Sequence, residues 1–273
     1  MLRIAGELAR QALDRGRAAH ANLARSRGQA PEPPPCGLTA SAGRGCSGRA
    51  AKAYDLPVTY AQQERAALAA LLTETGPDAP TLCEGWRTRD LAAHLVLRER
   101  RPDAAAGVMG GPLAGYTARV QRQYLSRHSY PELVALFRAG PPRLSPFALP
   151  GADEAANTVE YFVHHEDVRR AAGDWTERPA DAGLSEALWK RLRGMRMFLR
   201  AAPTGVVLAR ETVPSGDEPG GLDLIVAKNA APSVTVAGSP AELTMWATGR
   251  ARAAHVTLDG PAEAVARLTG WRR

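Results

Sequence analysis

The amino-acid sequence predicts an α+β protein in which a helical bundle precedes a smaller domain of mixed helices and strands. Apolar residues recur at helical spacing up to about Ala201, and after Pro203 they form short β-branched segments bounded by Gly, Pro and Asn. The first 57 residues fit neither pattern. We therefore expect three parts, an extension at 1–57, a helical bundle at 58–202 and an α+β domain at 203–273.

The extension is expected to be disordered. It holds a proline-rich run at 31–35, followed by a Gly-, Ser- and Ala-rich segment that ends near Ala53. Such a composition buries too little apolar surface to offset the conformational entropy lost on folding. Two other interpretations are a start site assigned too early, with Val58 opening the true domain, and an Arg-rich targeting peptide.

The bundle is predicted from apolar residues spaced three or four positions apart. Its first segment stops at Gly76-Pro77, and four prolines between 141 and 150 interrupt the pattern later. Helices are expected at about 59–75, 89–100, 113–127, 131–139, 153–171 and 184–201.

The C-terminal part is predicted to alternate strands and helices. Three β-branched segments come first and are followed by a helix, a further strand and a last helix. Strands are expected at 205–210, 222–227, 233–237 and 255–258, and helices at about 240–248 and 261–268.

Charge and composition exclude several classes of partner. The net charge is +7, but the first 57 residues contribute nine Lys and Arg against four acidic residues, so most of the excess lies outside the predicted fold. A nucleic-acid-binding fold concentrates basic residues on a folded face, so we expect no nucleic-acid partner. No segment approaches the roughly 18 apolar residues that span a bilayer. Three cysteines give no disulfide framework, and we expect a reduced, cytoplasmic protein.

Two helices carry residues that are typical of a metal site. Glu160 and His164 lie four residues apart, which places their side chains on the same helix face. His94 lies on the apolar face of another predicted helix. Two imidazoles and a carboxylate with an open position suit a catalytic Zn²⁺, although Fe²⁺, Ni²⁺ or Mn²⁺ would compete. The alternative is an ordinary surface ion pair together with a hydrogen-bonded core histidine.

Neighbouring residues have two interpretations each. His165, Glu166 and Asp167 could orient ligating rings through hydrogen bonds. Asp90 could do the same, or it could be a first-turn carboxylate at a helix N-terminus. Cys83 is either a reactive thiol near the metal or a small buried apolar residue. No glycine-rich phosphate loop and no Gly-x-Ser-x-Gly motif occur in the sequence.

The segment Gly85–Leu95, followed downstream by Glu160–Asp167, resembles the DinB-like superfamily. The match is closest to the branch of mycothiol-dependent maleylpyruvate isomerase and related thiol transferases. The segment Phe147–Arg170 also resembles an actinobacterial subfamily of metal-binding proteins. The segment Val234–Arg250 is similar to the sterol-carrier-like C-terminal domain of the branch. The resemblance covers about 59–273.

The resemblance implies a four-helix bundle that holds a divalent metal, Zn²⁺ or another, through His94, Glu160 and His164. Water or a low-molecular-weight thiol would take the remaining positions, with mycothiol as the expected co-substrate. Arg250 is the candidate catalytic residue, because an arginine of the C-terminal domain contacts the substrate carboxylate in some relatives; capping a helix end is its other interpretation. The expected function is thiol-dependent transfer to, or isomerisation of, small electrophiles. The alternative is a non-catalytic metal- and ligand-binding module.

Overall fold

The computed structural model describes residues 58–271 except 106, 108–110, 144, 150, 180 and 213–219. The predicted disordered extension at 1–57 therefore lies outside the described residues. Within the described part, helices precede a four-stranded sheet, and the predicted α+β class is confirmed.

Seven helices form the first part of the described chain. They are α1 (Tyr60–Thr75), α2 (Thr88–Arg100), α3 (Pro102–Ala105), α4 (Ala114–Arg127), α5 (Tyr130–Arg138), α6 (Ala152–Arg170) and α7 (Ala182–Met195). Most begin and end within a few residues of the predicted bounds. The short α3 was not predicted, and the segment predicted as one helix to 201 changes to a 3-10 helix at Arg196–Leu199.

Local sequence sets the helix ends. Thr59 caps α1: its hydroxyl accepts from the amide of Gln62, and the Gln62 side chain accepts from the amide of Thr59 at 3.0 Å. Helix α6 follows Gly151, whose φ of +75° lies in the left-handed region that glycine adopts without strain. Asp153 and Glu154 occupy the first turn of α6, where carboxylates suit the positive end of the helix dipole.

The bundle core lies where α1 packs along α6 and where α2 packs against α4 and α5. Leu68, Leu91, Leu95, Phe137 and Tyr161 are fully buried in one cluster. These residues come from four different helices. Burial of their apolar surface fixes the positions of α1, α2, α5 and α6, and hence of the side chains that α2 and α6 carry.

The second part contains β1 (Gly205–Glu211), β2 (Leu222–Lys228), β3 (Ser233–Ala237), α8 (Pro240–Ala247), β4 (Thr257–Asp259) and α9 (Ala262–Gly270). The strand order is β2-β1-β3-β4. Strand β1 pairs with β2 antiparallel and with β3 parallel, and β4 pairs with β3 antiparallel.

Helix α7 contributes to the core beneath the sheet. Its residues Trp189 and Leu192 are buried in one cluster with Leu208 of β1, Val236 of β3 and Leu243 of α8. The two parts therefore share packed surface, and the predicted domain boundary near 202 stays a prediction.

An ion pair also ties the end of α6 to α8. The Arg170 guanidinium donates to Glu242 at 2.7 and 2.9 Å, and both side chains are buried. This contact brings the loop after α8, which carries Arg250, next to the C-terminal half of α6. Among the described residues, no helix is long and apolar enough to cross a membrane.

Candidate metal centre

The three predicted ligands meet between α2 and α6. His94 Nε2 lies 3.3 Å from Glu160 Oε1, and His164 Nε2 lies 3.2 Å from the same oxygen. The three ligand atoms all lie within 4.8 Å of one another. Both histidines are buried, whereas the Glu160 side chain is about a quarter exposed. The structure therefore brings together residues that are 66 positions apart in the sequence.

The donor set fits a divalent cation. Ligand atoms bonded at about 2.0–2.1 Å in a tetrahedral site lie about 3.3 Å apart, which is close to the two distances seen here. Two imidazole nitrogens and one carboxylate oxygen also leave a fourth position open, as in catalytic zinc sites. These residues would hold the cation predicted from the sequence.

A carboxylate fixes the orientation of one imidazole. His164 Nδ1 donates to Asp167 Oδ2 at 2.9 Å, which directs the Nε2 atom toward Glu160. Asp167 is fully buried and in turn accepts from Arg250, at 2.9 Å from Nε and at 2.7 Å from Nη2. Asp167, predicted as a possible orienting residue, therefore connects the C-terminal part of the chain to the candidate ligand.

These contacts shift the pKa values of the cluster. Burial raises the pKa of the Glu160 carboxyl, but hydrogen bonds from His164 and His94 outweigh burial and hold it well below its usual value. Burial lowers the pKa of His164, yet its bonds with Asp167, Cys83 and Glu160 hold that pKa well above normal. The pKa of His94 is lowered, chiefly by burial. Without metal, these contacts therefore favour the charged forms of Glu160 and His164 and the neutral form of His94.

Two further side chains bound the cluster. The Trp86 ring lies 5.1 Å from the His94 ring, centroid to centroid, and limits its rotation. Arg98 Nε lies 3.3 Å from Glu160 Oε1 and adds a positive charge beside the carboxylate. Neither Trp86 nor Arg98 was predicted from the sequence to belong to the site. The signal for Arg98 was its position four residues after His94, on the same face of α2.

Cys83 lies beside the cluster rather than in the apolar core. Its thiol donates to Asp167 Oδ2 at 3.2 Å, and its Sγ atom is 3.9 Å from His164 Nδ1. The side chain is partly exposed and faces a cavity. Of its two sequence interpretations, the structure favours a thiol near the candidate metal site.

The cluster opens into a cavity of about 1130 Å³. Helix α6, the end of α7 and the segments after α7 and α8 form its walls. The lining includes His94, Glu160, His164, Cys83 and Arg250. Arg250 therefore borders the space in which a substrate would lie, while its guanidinium is bonded to Asp167.

Other candidate orienting residues lie elsewhere. His165 Nδ1 is 3.2 Å from Glu64 Oε2, and Glu166 accepts from Arg170 at 2.7 Å, so both belong to an ion-pair network. Asp90 accepts from the amide of Arg87 at 2.9 Å, which is the helix N-terminal role considered for it. Of the orienting candidates, the structure brings Asp167 to the ligands.

Comparison with known proteins identifies the family. The family model of the mycothiol maleylpyruvate isomerase N-terminal domain matches residues 58–221. The chain belongs to this family. The family match includes His94, Glu160 and His164, whereas Arg250 lies beyond it. The resemblance to the mycothiol-dependent maleylpyruvate isomerase branch, predicted from the sequence motifs, is confirmed.

A solved structure is also similar. It is the crystal structure of a mutant of the mycothiol-dependent maleylpyruvate isomerase, which is 17% identical to this chain in sequence and superposes with a TM-score of 0.41. The match covers 76% of this chain and 98% of that chain. The comparison with curated proteins finds no match.

Proposed function

We propose that this member of the mycothiol maleylpyruvate isomerase family binds one divalent cation, Zn²⁺ or another, and acts as a thiol transferase or isomerase on small electrophiles. The observation that carries the proposal is the convergence of His94, Glu160 and His164 at the wall of a large cavity. The co-substrate would be mycothiol or a similar low-molecular-weight thiol, as the family suggests. Because that thiol must stay reduced, the proposal includes the cytoplasmic location expected from the sequence.

Each residue has a distinct part in the proposed site. His94, Glu160 and His164 would hold the cation, which when bound lowers the pKa of a thiol and polarises a carbonyl. Asp167 keeps His164 in the tautomer that leaves Nε2 free for the cation. The cavity walls would hold both reactants close together and limit the access of water.

Arg250 enters the proposal as a residue that positions Asp167. Its Nε and Nη2 atoms donate to that carboxylate, and its Nη1 atom donates to the carbonyl of Thr248 at 2.7 Å. In the predicted contact, a substrate carboxylate would have to share the Arg250 guanidinium with Asp167. That contact, and the sterol-carrier-like nature of the C-terminal part, stay predictions.

Metal analysis tests the site. Protein purified without a His tag should contain about one divalent cation per chain. His94→Ala and His164→Ala should each lose most of it, because two ligands remain in either variant. His128→Ala is the matched control, since its ring lies against Tyr124 and outside the cluster. Full occupancy in both ligand variants would overturn the proposed site.

Thiol binding and turnover test the chemistry. Isothermal titration calorimetry should detect binding of mycothiol to metal-loaded protein and no measurable binding after the metal is removed by a chelator. Loaded protein should then convert at least one member of a panel of electrophiles, faster than free mycothiol does. Loaded protein that binds metal but neither thiol nor electrophile would support the alternative function, a non-catalytic metal-binding module.

A further inference from the structure

We propose that the cavity beside the cluster binds an uncharged, largely apolar electrophile, along an apolar wall that is separate from the metal ligands. That the bound molecule is an electrophile rests on the proposed function, whereas the binding of an uncharged apolar molecule does not. Three observations support the proposal: the size of the cavity, the character of its wall and the bonds of the arginines that border it.

The cavity is larger than a small reactant needs. Pockets for small molecules usually measure about 300–1,000 Å³, and this one measures about 1130 Å³. The three candidate ligands occupy only the part of its wall between α2 and α6. The remaining lining extends from the first turns of α6 to the segment after α7 and to the end of α9. The space is sufficient for a thiol and a second molecule together.

The wall away from the ligands is mostly apolar. Helix α6 contributes alanines and valines on the face that also carries Glu160, and α7 ends with Met195 at the cavity. Phe198 is 38% exposed although it is a large apolar side chain, which is consistent with a surface available to a ligand. The apolar lining comprises Trp86, Phe147, Ala155, Ala156, Val159, Val163, Met195, Phe198, Ala201, Ala247 and Trp271.

The arginines of the lining already have acceptors in the protein. The Nε and Nη2 atoms of Arg250 donate to the Asp167 carboxylate, and its Nη1 atom donates to the carbonyl of Thr248. Arg98 donates to Asn157 and to the carbonyl of Ala156, and its Nε atom faces Glu160.

Arg191 is bonded in the same way. Its Nη2 atom donates to Glu154 Oε1 at 3.1 Å and its Nη1 atom to the carbonyl of Ala187 at 3.1 Å. Its Nε atom has no acceptor but is itself buried in the protein. Lys190 is the remaining lysine or arginine of the described lining; its side chain is 72% exposed, and its Nζ atom lies 3.7 Å from Glu186.

An anionic substrate would therefore compete with a protein carboxylate for the guanidinium of Arg98, Arg191 or Arg250. Drawing Arg250 away would leave Asp167 buried without its guanidinium, which is strongly unfavourable. An uncharged apolar molecule needs no such exchange, since it replaces water along the apolar wall. For this reason we assign the wall to an uncharged substrate rather than to a carboxylic acid.

Gly194 offers a direct way to change this wall. It lies in α7 and borders the cavity, and a Cβ atom added to it would meet no atom within 4 Å. Gly115 is a matched control in α4, because it is also helical and exposed, has the same free space and does not border the cavity. Arginine is a good helix former at both positions.

The test uses N-phenyl-1-naphthylamine, an uncharged fluorescent probe, with metal-free protein in chelator. Wild type should bind it saturably, and millimolar maleate, a dicarboxylate, should not displace it. Gly194→Arg should weaken binding at least five-fold because it places a charge against the apolar wall. Gly115→Arg should leave binding unchanged.

The proposal is overturned if the probe does not bind saturably, if maleate displaces it, or if the two variants weaken it equally. Because the metal is absent throughout, the result does not depend on the metal site. Failure of the proposed function appears instead as missing metal or missing turnover in the experiments described above.

Discussion

At the scale of single residues, the candidate centre depends on a buried carboxylate that is not itself one of the three proposed ligands. Burial raises the pKa of Asp167, but its bonds with His164 and Arg250 lower that pKa to about 2. Asp167 is therefore ionised at neutral pH and holds the Nδ1 proton of His164. Orienting carboxylates of this kind strengthen metal binding by their neighbouring imidazoles.

We expect Asp167→Asn to weaken metal binding about 10–100-fold. The amide cannot balance the charge of the ring, and it can turn its NH₂ group toward Nδ1 and disfavour the required tautomer. Competition with a chelating indicator dye measures the dissociation constant. Asp174→Asn changes an exposed aspartate in the same way and should have no effect. An unchanged constant in a folded Asp167→Asn protein would remove Asp167 from the site.

The residues of the site differ in how far the sequence predicts them. Glu160 and His164 are predictable together because a helix places positions four apart on one face. His94 was predictable as a candidate, but its approach to Glu160 depends on how α2 and α6 pack. The Arg250–Asp167 bond joins residues 83 positions apart. No local pattern indicates such a pair, so the positioning role of Arg250 became visible only in the structure.

At the scale of elements, the helical segments were predictable because each has a repeating apolar face. The end of the segment predicted to 201 was not, since the chain changes from α to 3-10 geometry at Arg196 while its apolar pattern continues. The sequence also assigned α7 to the bundle alone. Trp189 and Leu192 in fact pack beneath the sheet, a choice that depends on long-range packing rather than on periodicity.

We expect the contact between α6 and α8 to be important for stability. Arg170→Met should lower the free energy of unfolding by about 3–5 kcal/mol, because Glu242 would stay buried without its guanidinium. Urea denaturation monitored by circular dichroism measures the change. Arg169→Met is the neighbouring control, and it should cost clearly less because the Arg169 side chain is about a quarter exposed. Equal losses of unfolding free energy in the two variants would show that the buried Arg170–Glu242 pair contributes no more to stability than the partly exposed Arg169.

At the scale of the whole molecule, the class was predictable from the change of apolar period after Pro203. The strand order was not. Strand β1 pairs in parallel with β3 while β2 lies at the edge, and this arrangement depends on pairing between distant segments. The candidate centre lies between helices of the first part and is contacted by Arg250 of the second, so its integrity reports on the assembly of both parts.

If the proposed centre binds metal in the folded chain, removing the metal should lower the stability of the whole protein. Metal at 100 times its dissociation constant adds about 2.7 kcal/mol by mass action. For a chain of this size that corresponds to a melting temperature about 5–10 °C higher than in chelator. Differential scanning calorimetry with and without chelator measures it. His94→Ala should melt at one temperature in both conditions; a chelator effect of the same size in that variant would place the stabilising metal elsewhere.

The buried ion-pair network should make the chain sensitive to acid even without metal. Burial raises the pKa of Glu64, but bonds with His165 and Arg178 outweigh it, and the pKa is lowered. The pKa of Glu166 is lowered in the same way, with bonds from Arg170 and neighbouring arginine charges outweighing burial. A carboxyl with a lowered folded-state pKa contributes stability above its unfolded-state pKa of about 4.3, and this contribution is lost as the pH falls through the folded-state value.

The contribution of these carboxyls to the free energy of unfolding in chelator should therefore be nearly constant from pH 7 to 5 and fall below about pH 4.5. The lowered pKa of His94 adds a separate loss of stability as the pH falls below about 6.5. Each carboxyl that protonates on unfolding contributes at most about 1.4 kcal/mol per pH unit to this slope. Urea titrations at several pH values measure it. Glu64→Gln should be less stable at pH 7 and have a shallower slope, because one of these protons is no longer taken up. Glu263→Gln, at an exposed position of α9, should keep the wild-type slope, and a Glu64→Gln slope equal to it would exclude Glu64 as a source of the acid sensitivity.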